Sequence, residues 1–122
     1  MANTENLIIT DGVLTKYVGD SEEVIVPEDV REIGVSAFDR VETIKKITLP
    51  ESIKVIAKWA FYGCKNLEDI NLPKGLLSIG ANAFCCTSIK KIVIPGGAEI
   101  AEEAFGRCDL LNEVIFEEGI KI

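Results

Sequence analysis

The chain has 122 residues, 48% of them apolar, with 13 basic against 20 acidic side chains for a net charge of −7 and a pI near 4.6. That is enough apolar material for one buried core, and the acidic balance excludes the electrostatic footprint of a nucleic-acid binder or an anionic-membrane binder. No apolar run reaches the roughly 20 residues of a membrane span, and no histidine is present to act as general base or metal ligand.

The N-terminal MANTENLIIT lacks a basic lead and an apolar signal stretch, so no secretion signal is expected. Either the protein is intracellular or a targeting segment has been removed; no Asn-x-Ser/Thr site adds a hint of compartment. Asp11-Gly12 stands between Ile8-Ile9-Thr10 and Val13-Leu14-Thr15, and such a dipeptide favours a tight hairpin turn. Residues 1–23 are therefore predicted to form a hairpin cap over the strand that opens at Val24, whose edge would otherwise be exposed.

From Val24 onward the sequence repeats. Prolines fall at 27, 50, 73 and 95, and Ala-Phe pairs begin at 37, 60, 83 and 104, a period of about 23 residues. Units open at Val24, Ile47, Ile70 and Ile92, and a fifth from Val114 stops part-way. Ile44, Leu67, Ile89 and Leu111 share one column, and Val41, Cys64, Cys86 and Cys108 another, once single deletions are placed between Phe84 and Cys86 and between Ala98 and Ile100. Each unit begins apolar-x-apolar, a short half-buried strand, and its proline ends the ladder. A second apolar pair comes next, then a small residue (Gly34, Ala57, Gly80, Ala101) and an Ala-Phe segment with room for one turn of α or 3₁₀ helix. One unit cannot bury its own apolar residues, whereas stacked units turn each column into an internal ladder.

The pattern Leu-x-x-Ile-x-Leu-Pro…Ile-Gly-x-x-Ala-Phe-x-x-Cys resembles the BspA-like class of leucine-rich repeats over residues 24–122, and residues 6–23 resemble the caps of such proteins. The resemblance implies a leucine-rich repeat solenoid: a right-handed superhelix of the β-rich α/β class, with a parallel sheet on the concave face, short helical turns on the convex face and an N-terminal hairpin cap. Four repeats and a truncated fifth make one domain. It implies also a non-enzymatic protein-interaction or adhesion module, often found at bacterial cell surfaces, with cytoplasmic residence left open.

Column by column, the reactive-looking residues read as architecture. Cys64, Cys86 and Cys108 alternate with Val41, so that position asks for a small apolar group; zinc would need close-set cysteine pairs or histidines. Cys85 shares its column with Asp39, Tyr62 and Gly106 and is expected to be the most accessible thiol. Glu68 and Asp69 resemble a catalytic carboxylate pair, yet Glu23, Lys46, Asp69, Lys91 and Glu113 alternate in sign along five strand starts, which predicts a cross-strand salt ladder.

Without nucleophile-base pair, metal cluster or phosphate loop, no catalytic residue, metal or cofactor is assigned. Two candidate partner-binding sets remain. One is the outward row Ile25, Thr48, Asn71, Val93 and Ile115, either a partner surface or simply strand-favouring residues. The other is Trp59 with Tyr62, three residues apart, the first in the column of Ser36, Asn82 and Glu103 and the second in that of Asp39 and Gly106, either interface anchors or a Trp folded over a neighbouring unit. The partner implied is a protein of unknown identity, with no nucleic acid and no membrane insertion. The unfinished fifth unit leaves Val114-Ile115-Phe116 as an open edge, predicting either a cut from a longer array or two chains covering each other's ends.

Overall fold

A computed structural model describes residues 5–118. The cap comes first: β1 (Leu7–Thr10) and β2 (Val13–Tyr17) pair antiparallel with a bulge between Ile8 and Ile9. Asp11 and Gly12 both take positive φ, 50° and 81°, the geometry that this two-residue hairpin turn requires. The turn docks onto the first coil, where the Gly12 carbonyl accepts from the Arg31 and Glu32 amides and the Arg31 guanidinium donates to the Asp11 carbonyl.

Each coil then presents three walls. In the first, two-residue strands β4 (Glu32–Ile33), β6 (Val55–Ile56), β8 (Ser78–Ile79) and β10 (Glu99–Ile100) add in parallel to the cap, giving a six-stranded sheet in the order β1-β2-β4-β6-β8-β10. The sequence marks these as a second apolar pair without assigning a strand; they are too short to show alternation and become strands only because the neighbouring coil supplies the ladder. The second wall carries the predicted strands β3 (Glu23–Ile25), β5 (Lys46–Thr48) and β7 (Asp69–Ile70), then β9 (Lys91–Ile94) and β11 (Glu113–Phe116).

The third wall is the Ala-Phe segment, and it corrects the expectation of helical turns: no helix occurs among the described residues. Two left-handed residues per coil break any helix, at Ser36 and Arg40, Trp59 and Gly63, Asn82 and Cys86, Glu103 and Arg107, with φ between 52° and 71°. Successive amides alternate in direction instead. Ala37, Asp39 and Val41 bond three residues back within their coil, whereas Ser36, Phe38 and Arg40 donate to Lys58, Ala60 and Tyr62 of the next. Inter-coil bonding thus satisfies the backbone of a segment that helix formation would have isolated from its neighbours.

Inside, the four Phe rings form one file, and the cap extends it. Tyr17, Phe38, Phe61, Phe84 and Phe105 stack with centroids 5.3, 5.0, 5.2 and 5.3 Å apart. Each buried ring contributes about 1.5–3 kcal/mol of transfer free energy, and each pair roughly 0.5–1.5 kcal/mol more. Ile33, Ile56 and Ile79, with Ile44, Leu67 and Ile89, fill parallel files beside it.

The second wall is not continuous: β3, β5 and β7 make one sheet and β9 with β11 another. The cause lies in chain length at one corner. Cys86 shares its left-handed φ with Arg40, Gly63 and Arg107, and each of the first three donates its amide to the next coil, so Cys86 belongs to that column and Thr87 to the column of Val41, Cys64 and Cys108. The deletion therefore falls after Thr87, and not before Cys86 as the columns of the sequence suggest. With one residue fewer to round the corner, the chain keeps Ile89 fully buried and gives up the ladder between β7 and β9.

Candidate functional site

All five residues of the outward row are exposed on the second wall. Ile25 pairs in register with Thr48, and Val93 with Ile115. Between these pairs lies the break, a groove of about 420 Å³ with Asp69, Asn71 and Leu72 on one bank and Lys90, Lys91 and Val93 on the other. Asn71 is partly engaged by the fold. Its Oδ1 accepts from the Leu49 amide at 2.7 Å and its Nδ2 donates to the Leu49 carbonyl at 2.9 Å, so the carboxamide replaces a rung of ladder at the sheet edge.

The predicted five-strand salt ladder is interrupted at the same groove. Lys46 and Asp69 approach to 4.0 Å, the one ion pair among the ladder residues, while Asp69 and Lys91 stand on opposite banks. Two further inter-coil pairs, Lys45 with Glu22 at 3.9 Å and Lys65 with Glu42 at 3.7 Å, lie one residue off the predicted positions or outside the strands. Exposed as they are, such pairs contribute about 0.2–1 kcal/mol each. A residual acid bank facing a basic bank is what the break leaves behind.

Trp59 and Tyr62 occupy the third wall, apart from the row. Their ring centroids lie 4.6 Å apart at 44°, and the Arg40 guanidinium sits 5.8 Å from the Tyr62 ring centre. Trp59 is 39% exposed and packs on Tyr62 of its own coil. It also holds φ of 64°, a conformation that Asn tolerates at the equivalent Asn82 and that is unfavourable for a bulky ring. Beside the pair opens a cleft of about 360 Å³ bounded by Arg40, Tyr62, Lys65 and Cys86. Arg40 and Lys65 escaped the sequence reading; the available signal was Gly63, a turn glycine in the column of Arg40, Cys86 and Arg107.

The thiols correct two expectations. Cys85, expected to be the accessible one, is 7% exposed, whereas Cys86 and Cys108, expected to be buried, are half-buried. Cys86 is displaced outward because it occupies the turn column and not the core column. Cys64 is buried as expected, and its Sγ donates to the Phe38 carbonyl at 3.0 Å; Cys108 repeats the bond to Phe84. Burial pushes the Cys64 thiol up to about 12, the Val41 backbone opposing and the Asp39 charge assisting. Cys85 is raised to about 11, first by burial and then by its hydrogen bond to Cys86. Among the described residues no three His, Cys, Asp or Glu side chains converge into a metal-binding group.

At the C-terminal end, Val114 and Phe116 stand where the preceding coils bury their strand residues, yet they are 43% and 68% exposed. Ile100 and Leu110 are exposed with them.

Residues 9–122 match the family described as BspA type leucine rich repeat region, in six copies. No curated protein matches the chain. Among solved structures, the pneumococcal vaccine antigen PcpA superposes with a TM-score of 0.82 at 23% identity, over 87% of this chain and 27% of that one. A leucine-rich repeat protein from Bacteroides capillosus gives 0.75 at 23% identity, over 93% and 99%. The T. pallidum leucine rich repeat protein TpLRR gives 0.66 at 28% identity, over 84% and 62%. The chain thus spans about a quarter of PcpA and under two thirds of TpLRR.

Proposed function

We propose, since this chain belongs to the BspA-type leucine-rich repeat family, that it is a non-enzymatic protein-interaction or adhesion module and that its contact surface centres on the break in the second wall. The observation that carries the reading is the groove between β7 and β9, which sets Asn71 and Val93, members of the exposed row, on facing banks. A rigid solenoid holds such a surface at little entropic cost, because the backbone is already ordered before a partner arrives. Apolar Val93 beside Ile115 supplies transfer free energy on contact, and the acid and basic banks supply orientation.

Residence at the cell surface or outside the cell is part of the same proposal, supported by the likeness to an antigen of the pneumococcus. No helix among the described residues is long and apolar enough to cross a membrane. The test compares two double variants, Val93→Ser with Ile115→Ser and Trp59→Ser with Tyr62→Ser, for capture of extracellular host proteins. Loss of capture in the first with an unchanged melting temperature supports the groove. Loss confined to the second transfers the site to the third wall, and capture by neither wild type nor variants overturns the binding reading.

The exposed β11 favours a second reading, an assembly segment that pairs with another copy through this edge. Val114, Ile115 and Phe116, paired with β9 on one side, offer an outer strand edge with no partner among the described residues and apolar side chains, a template for edge pairing. Light scattering behind size exclusion decides it: a monomer whose mass is independent of concentration removes the reading.

A further inference from the structure

Cys85 and Cys86 are adjacent on the third wall with their sulfurs 3.3 Å apart, both free. The fold demands a thiol at neither place, since the equivalent positions hold Asp39, Tyr62 and Gly106 for the first and Arg40, Gly63 and Arg107 for the second. Cys86 lies on the boundary of two clefts, one of about 360 Å³ bearing Arg40, Tyr62 and Lys65, the other of about 440 Å³ bearing Lys65, Arg107 and Asp109. A reagent can reach Cys86 from either side, and of two neighbouring thiols the accessible one reacts first. Cys85 sits closed behind it.

We propose that Cys85 and Cys86 form a dithiol site that captures a singly substituted trivalent arsenic centre through both sulfurs. The bite selects the ligand. With a zinc–sulfur bond of about 2.3 Å, and an arsenic–sulfur bond of similar length, two sulfurs 3.3 Å apart subtend roughly 90° at the bound atom. That angle suits a pyramidal three-coordinate centre and is too narrow for tetrahedral zinc, which would also require further ligands. The chain has no histidine, and no third ligand joins the pair among the described residues.

The step needs no oxidant. An arsenoso group, R–As=O, reacts with both thiols: the As=O bond is lost, two As–S bonds form, the two thiol protons leave with the oxygen as water, and arsenic remains trivalent. Cys86 attacks first, being open to the clefts. Cys85, whose thiol burial keeps protonated at neutral pH, delivers its proton to the departing oxygen as it closes the ring.

The probe is phenylarsine oxide at one equivalent, read by intact mass, followed by challenge with excess 2-mercaptoethanol and then with dimercaptopropanol. The expected result is one adduct, heavier than the protein by the reagent less one water, that survives the monothiol and is released by the dithiol. Cys86→Gly keeps the turn, because Gly63 holds the equivalent left-handed position, and should lose the monothiol-resistant adduct, as should Cys85→Ala. Cys64→Val and Cys108→Val should retain it. The proposal is overturned if the wild-type adduct is stripped by the monothiol, or if Cys86→Gly, folded by circular dichroism, keeps it.

Discussion

The two ends of the solenoid are built from the same strand material and differ in fate. At the N-terminal end the hairpin lays Leu14 and Tyr17 over the first coil, and Val24 of the first repeat strand is 6% exposed. At the C-terminal end Val114, in the same column, is 43% exposed, and among the described residues Phe105 stacks on Phe84 alone. A side chain here is buried by the coils on either side of it and not by its own hydrophobicity, so identical letters take opposite environments at the two ends.

That contrast can be attacked by substitution. Phe61→Ala, mid-file, should cost about 3–5 kcal/mol in denaturant unfolding, and Phe105→Ala, with a ring neighbour on one side, roughly half of that; equal losses would mean that the open end is covered in solution. Gly80→Ala should cost about 1–3 kcal/mol by overpacking, because a Cβ there would run into the Lys58 amide nitrogen, backbone that cannot step aside. Tyr17→Phe removes the hydroxyl that accepts from the Ser21 amide at 2.9 Å and should cost about 0.5–1.5 kcal/mol, showing how firmly the cap is held.

Alkaline titration tests burial within the file of coils. The Cys64 thiol is raised from 9.0 to about 12 on folding, so the folded state binds its proton more tightly than the unfolded state. Its contribution is complete below pH 9 and is lost as pH climbs towards 12; Cys64→Val, copying Val41, should flatten that part of the profile. Smallest of all, Trp59→Asn should change stability by under about 0.5 kcal/mol, since relief of the left-handed strain offsets loss of the contact with Tyr62.

Much of the candidate site was legible in the chain itself. The outward row emerged from alternation, and Trp59 with Tyr62 from columns that hold Ser36, Asn82 and Glu103 for the first and Asp39 and Gly106 for the second. The groove was not legible, because a one-residue deletion between Phe84 and Ile89 aligns equally well on either side of Cys86. Placing it before Cys86 put that thiol in the core, and backbone direction at residue 86 reverses this; Cys85 looked exposed because its column, the same in either register, holds Asp39, Tyr62 and Gly106.

The amino-acid sequence by itself determined the coil: its length, the Phe file, the hairpin turn at Asp11-Gly12 and the faces of each strand, because stacking forces equivalent positions into one environment and so writes the environment into the period. Tertiary structure alone decided where that equivalence fails. It converted a second apolar pair into a sheet, replaced helical turns by inter-coil bonds, split the second wall and left the last coil half uncovered. Each of these depends on hydrogen bonds to a neighbouring coil, and a bond between residues about 23 positions apart leaves no local trace in the chain.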